Sequence, residues 1–272
     1  MTIALSTWVN RVAPDVPGCP APLIEREILE AAREFCRDAR VWSEQLAAIK
    51  ILTGVDRYAL ASLNGRILGV KRARIDDTGA DLVVDLDEDG YLWLAHKPAE
   101  DSDLYLSLTD LTFNSAAGTI ASAATDFADA GVEAGDEICI TGTSYNNRTF
   151  TVESVATTTI TVDTDEDTVT DEGAGDASAT ICIGGLVVWV YLQPEKTATA
   201  LPDILWHDYE DAISSGARWR LLRLPGRAWS NPELAGYYQR EFELGKSRGL
   251  GVTRHGRGTR EARIRVNRRF VV

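Results

Sequence analysis

Residues 85–90, Asp-Leu-Asp-Glu-Asp-Gly, match the first half of a calcium loop. Alternating carboxylates followed by a glycine can wrap a hard cation, but such a loop needs a bidentate glutamate at its twelfth position. His96 stands there, and the text that follows is strand-like, so the stretch reads as a hairpin turn. The acidic run 163–172, DTDEDTVTDE, lacks both the sixth-position glycine and the twelfth-position glutamate and reads as a solvated loop. His96, His207 and His255 are far apart and form no HExxH array. Cys19, Cys36, Cys139 and Cys182 show no CxxC spacing, which argues against a zinc site. Cys139 and Cys182 both fall in strand-like text, where they could be neighbours, and the cysteines read as buried thiols in a reducing compartment. The chain has no G-x-S-x-G elbow, no P-loop and no strand–GxGxxG–helix unit. The sequence thus nominates no catalytic residue, no metal and no cofactor, and a non-enzymatic protein is expected.

The remaining chemistry is electrostatic. The net charge is −13, yet residues 246–272 carry nine bases and one acid, while residues 101–185 carry sixteen acids and one base. Segregation of this kind points to separate modules with separate partners. Within the basic end, Arg263, Arg265 and Asn267 alternate with Ile264 and Val266, and Phe270-Val271-Val272 closes the chain. An extended segment with this alternation can add a strand to a partner's sheet edge, with pockets for alternate side chains. Arginines also neutralise phosphates, but the overall acidity argues against a stand-alone DNA-binding protein.

Helical periodicity marks the elements that must carry this segment. A Pro/Gly turn region, in which a proline can start a helix, precedes a helix on which Ile24, Ile28, Ala31, Phe35, Ala39 and Trp42 share a face, and a shorter helix is expected over residues 4–12. Leu205, Tyr209, Ala212, Ile213 and Gly216 line a second long helix, stopped at Pro225-Gly226. Asn231 caps a third, with Pro232 at its first position and Leu234, Tyr238 and Phe242 on one face, and Gly249 and Gly251 are expected to end it. Between residues 47 and 98 the period falls to two, with hairpin turns predicted at Asn64-Gly65 and Asp89-Gly90. From residue 110 to 184 the composition turns to Thr, Ala, Ser, Asp and Gly, with short strands such as DEICITG, TTITVDT and ATICIG. The strands before this stretch and LVVWVYLQP after it read as one sheet interrupted by an insertion. The expected fold is α+β: a helical core with a small antiparallel sheet (residues 1–109 and 185–252), an inserted acidic all-β domain (110–184) and a basic extended C-terminal tail (253–272). No apolar run approaches membrane-spanning length, and the start of the chain lacks signal-peptide features, so synthesis in a cytoplasm and no membrane association are expected.

Residues 8–42 and 201–245, with "AISSGARWRLL" and "W-S-N-P-E-L-A-x-x-Y", resemble the head-to-tail adaptor, or connector, proteins of tailed bacteriophages. The likeness covers about 190 residues outside the insert, and the segment from Gly118 to Val162 is similar to small β modules of phage tail and virion proteins. The resemblance implies a virion protein made in a bacterial host's cytoplasm. It would form a homo-oligomeric ring, dodecameric in the family's usual form, between the portal protein and tail or nozzle proteins. It further implies that the C-terminal tail reaches the portal, with Ile264, Val266 and Phe270 as apolar anchors. Arg260, Arg263, Arg265, Arg268 and Arg269 would then face acidic portal residues, or make transient contact with packaged DNA. The alternative is a peripheral virion binding protein whose β insert engages a tail fibre or host surface. Glycan recognition by the insert is disfavoured, because residues 110–184 hold no Trp and only Tyr145.

Overall fold

The computed structural model describes residues 2–76, 80–164, 167–173 and 179–255, and the chain divides into two compact units. One comprises Met1–Trp42 and Gln193–Val272, the other Ser43–Leu192.

In the first unit, strands β1 (Thr2–Ala4) and β15 (Ala200–Pro202) form an antiparallel ribbon that ties the start of the chain to the third helix. Helix α1 (Leu5–Val12) follows β1 directly and buries Leu5, Trp8 and Val12. Helix α2 (Ala21–Ala39) starts behind Pro20 and buries Ile24, Ile28, Ala31, Phe35 and Ala39, as the periodicity predicts, together with Leu29, Ala32 and Cys36, whereas Trp42 lies beyond its end. It ends at Arg40, whose left-handed φ of 52° lets its amide donate to the Cys36 carbonyl. Helix α3 (Asp203–Leu222) and helix α4 (Pro232–His255) complete the unit. Asn231 caps α4 as expected: its Oδ1 accepts from the Leu234 amide at 3.1 Å.

Gly249 and Gly251 do not end α4, which runs on to His255. The reason is packing. A Cβ on Gly249 would lie 3.0 Å from Val41 Cγ1 and 3.1 Å from Ala39 Cβ, so this glycine lets α4 approach the end of α2. Gly245 does the same against α3, where a Cβ would lie 2.4 Å from Ala212 Cβ. Gly245→Ala should therefore destabilise the protein although alanine is the better helix former. Propensity favours the substitution by up to about 1 kcal/mol, whereas overpacking against an atom with no rotamer to move costs about 1–3 kcal/mol. Urea unfolding that showed the variant equal to or above wild type would refute this close packing.

The second unit holds three sheets. Strand β14 (Leu186–Gln193) lies between β2 (Ser43–Gln45) and β4 (Arg66–Ile75), so strands before and after the acidic segment share a sheet. A second sheet orders β3 (Arg57–Ala59), β6 (Tyr91–Leu94) and β5 (Val84–Leu86). The β5–β6 hairpin turns through Asp87–Gly90, with Gly90 at φ 85°, as Asp89-Gly90 predicts. Asn64-Gly65 makes no hairpin: it sits in an irregular bend, and β3 pairs with β6 instead of the adjacent β4.

The third sheet has seven strands in the order β7 (Leu104–Leu108), β13 (Ala179–Ile183), β10 (Glu137–Thr141), β11 (Thr149–Ala156), β12 (Thr159–Val162), β9 (Thr119–Ala121) and β8 (Thr112–Asn114). All neighbours are antiparallel. One face supplies a core of Ile138, Ile140, Phe150, Val152, Ile160, Val162 and Ile181, joined by Phe113, Ile120 and Phe127. The expectation of a helical core with a small antiparallel sheet is thereby corrected. Four α-helices stand against fifteen strands among the described residues, seven of them in one sheet, and the architecture is mostly β. Strands of three to five residues carry only one or two alternations, so a helix of twenty residues outweighs them in a periodicity reading.

Candidate functional site

The basic C-terminal segment has a defined root. Thr253, in the last turn of α4, donates its hydroxyl hydrogen bond at the end of α2, with the Ala39 carbonyl at 2.9 Å. That carbonyl belongs to the last turn of α2, where intrahelical donors run out, so Thr253 satisfies a helix terminus while fixing its own helix. About two turns earlier, Lys246 Nζ lies 3.0 Å from Glu34 and from Asp38 and 2.8 Å from Glu243. Burial works against this ammonium, but hydrogen bonds to Glu243, Asp38 and Glu34 outweigh it and raise its pKa above the usual lysine range. Arg220 of α3 also pairs with Glu34, so a single carboxylate links three helices. Residues 253–255 are helical, not part of an extended tail, and Thr253 is clamped to α2. Arg260, Arg263, Ile264, Arg265, Val266, Arg268, Arg269 and Phe270 lie outside the described residues.

Beside this root, Trp206, His207, Asp211, Gly245, Arg248 and Val252 border a groove of about 460 Å³ between α3 and α4. His207 is exposed on the rim. The groove is open and mixed in polarity, with no convergent set of donors and acceptors around a reacting position among its described residues.

The DLDEDG stretch is a hairpin turn whose central carboxylate is engaged by the protein itself. Asp87 accepts from the Tyr91 amide at 2.7 Å, from Trp93 Nε1 at 3.1 Å and from Arg57 at 2.9 Å. The Tyr91 amide bond leads in holding its pKa below the usual carboxylate range, with Trp93 and Arg57 adding to it. The Arg57 guanidinium also lies over the Tyr91 ring, 3.9 Å from its centroid. His96 is exposed and outside this network.

In the acidic sheet, carboxylates also serve as turn formers. Asp110 accepts from the Ala124 amide and the Ser122 hydroxyl, each at 2.9 Å, which holds its pKa below the ordinary 3.8. A pKa depressed on folding contributes stability that is complete above 3.8 and lost as pH falls through the folded value. Wild-type Tm should therefore fall more steeply than that of Asp110→Asn as pH drops from about 6 to about 3. Parallel curves in thermal melts across that range would remove Asp110 from the account.

One cluster gathers residues distant in sequence. Cys139 on β10 and Cys182 on β13 are direct cross-strand partners, both fully buried. Alternation places them on the face opposite Ile138, Ile140 and Ile181, packed with Ala48 and Val187 and flanked by half-buried Tyr105 and Trp189. Asp76, just after β4, brings its carboxylate to the same place, and the three donor atoms lie within 4.8 Å of one another. A hydrogen bond with Cys139, followed by burial, pushes the Cys182 thiol well above its usual pKa. Sequence spacing missed this set because residues 76, 139 and 182 share no motif; strand register was the only signal that placed Cys139 beside Cys182.

No family model matches the chain, and no curated protein matches it in sequence.

Proposed function

We propose that the chain is a non-enzymatic structural virion protein, a head-to-tail adaptor that assembles as a homo-oligomeric ring between the portal and the tail or nozzle proteins of a tailed bacteriophage. The observation that carries this reading is the basic C-terminal extension of an otherwise acidic chain, whose root in α4 is clamped to α2. An acidic protein with nine bases and one acid after residue 245 needs a partner for that extension. The clamp by Thr253 and Lys246 gives the extension a fixed point of departure, which limits the entropy lost when it docks. The texture of residues 8–42 and 201–245 supports the same assignment. The reading does not rest on a helix-dominated fold, which the structure corrects. Location at the head–tail interface, synthesis in the bacterial cytoplasm and transient contact with packaged DNA follow from the assignment as parts of the proposal.

Native mass spectrometry of the full chain mixed with the candidate portal ring tests it. The expected result is a discrete complex with about one copy per portal subunit. Absence of any complex, under salt conditions where both partners are folded, would overturn the adaptor reading and shift attention to the sheet unit as a binding surface for a tail fibre or host.

A further inference from the structure

We propose that Asp76, Cys139 and Cys182 form a binding site for a thiophilic divalent ion, with zinc as its physiological occupant. This inference is independent of the adaptor assignment.

Donor chemistry comes first. Two sulfurs and one carboxylate suit zinc or cobalt and reject calcium and magnesium, which take oxygen ligands. Tetrahedral zinc, with Zn–S near 2.3 Å and Zn–O near 2.0–2.2 Å, needs donors about 3.5–3.8 Å apart. The donors here lie within 4.8 Å of one another, at most about 1 Å beyond that spacing. Three protein ligands leave one position for water, and Asp76, half-buried, marks the side from which an ion enters.

The surroundings hold the set in place. The Asp76 carboxylate accepts from the Gly184 and Gly185 amides, each at 3.1 Å, one to each oxygen. The Asp76 amide donates back to the Gly185 carbonyl at 2.8 Å. Outer hydrogen bonds of this kind orient ligating carboxylates. Gly185 also leaves space for sulfur, since a Cβ there would lie 2.4 Å from Cys182 Sγ. On the other flank the Ala48 amide donates to Thr141 Oγ1 at 2.7 Å, and Tyr105 donates to the Ala48 carbonyl at 3.0 Å. These bonds pin the segment that covers the two sulfurs. Asp76 itself adopts a left-handed φ of 50°, a conformation that aspartate and asparagine enter more readily than other side-chain-bearing residues.

Binding is balanced simply. The ion replaces the protons of two thiols, joins an existing carboxylate, and leaves the site with net charge −1 and two protons released.

Cobalt(II) is the probe, titrated into the reduced full-length chain and followed by absorption. The expected result is a sulfur-to-cobalt charge-transfer band that saturates at one ion per chain and is bleached by one equivalent of zinc. Cys139→Ser and Cys182→Ser should each remove most of the band. Asp76→Asn keeps both sulfurs, and asparagine tolerates the left-handed backbone, so this variant should fold, retain the band and bind cobalt about 10- to 100-fold more weakly. A reduced, folded chain with no band overturns the site. So does a band that survives the Cys139→Ser/Cys182→Ser double variant, which would assign it to Cys19 or Cys36. Unchanged affinity in Asp76→Asn would overturn the three-ligand set.

Discussion

Removing residues 260–272 should abolish binding to the portal ring while leaving the unfolding transition of the remaining chain where it was. The second half of this expectation follows from the structure. Among the described residues α4 runs to His255, Thr253 ties it to α2, and Gly249 lies against Val41, Ala39 and Phe35, all upstream of the deletion. The first half follows from the chemistry of the deleted segment. Arg260, Arg263, Arg265, Arg268 and Arg269 supply charge, and Ile264, Val266 and Phe270 supply apolar anchors on alternate or nearby positions. Two substitution sets separate these contributions. Changing the five arginines to glutamine should weaken binding most at low salt, because exposed charges are screened within about 10 Å at 0.1 M ionic strength. Changing Ile264, Val266 and Phe270 to alanine should weaken it at every salt concentration, because burial of apolar surface is not screened. Pull-down or native mass measurement with the truncated chain decides the main point: undiminished portal binding would sink the role given to this segment.

The long elements were legible because each carries several turns of pattern. Ile24, Ile28, Ala31 and Phe35 announce α2, and Asn231-Pro232 announces the start of α4. Asp89-Gly90 announces its hairpin because that turn is local. What stayed hidden depends on tertiary contact. Gly249 and Gly251 look like a helix end in one dimension, whereas in three dimensions Gly249 is where α4 meets α2. Asn64-Gly65 has the composition of a hairpin turn, but the partner of β3 is β6, more than thirty residues along the chain. The balance of α to β was misjudged for the same reason: β8, β9 and β12 are three or four residues long and find their meaning only beside one another. The Asp76–Cys139–Cys182 set is the extreme case, since three strand registers must be known before the donors converge.

Phe35→Ala should cost the helical unit about 3–5 kcal/mol, the range for truncating a fully buried phenylalanine. Phe35 is 0% exposed, with ring centroids 5.1 Å from Tyr209 on α3 and 6.1 Å from Phe242 on α4. The two glycines that bring α4 close, Gly245 and Gly249, both face this ring, at 3.6 and 3.3 Å from their would-be Cβ positions. Alanine is a better helix former than phenylalanine, but that gain is at most about 0.7 kcal/mol and cannot offset a cavity bordered by three helices. Five of the seven tryptophans lie in the helical unit, so denaturant unfolding followed by tryptophan fluorescence reports mainly on it. A loss below about 1 kcal/mol would mean that the helices close over the missing ring. The glycine contacts would then be adjustable, and α4 could not serve as the fixed root from which the basic segment departs.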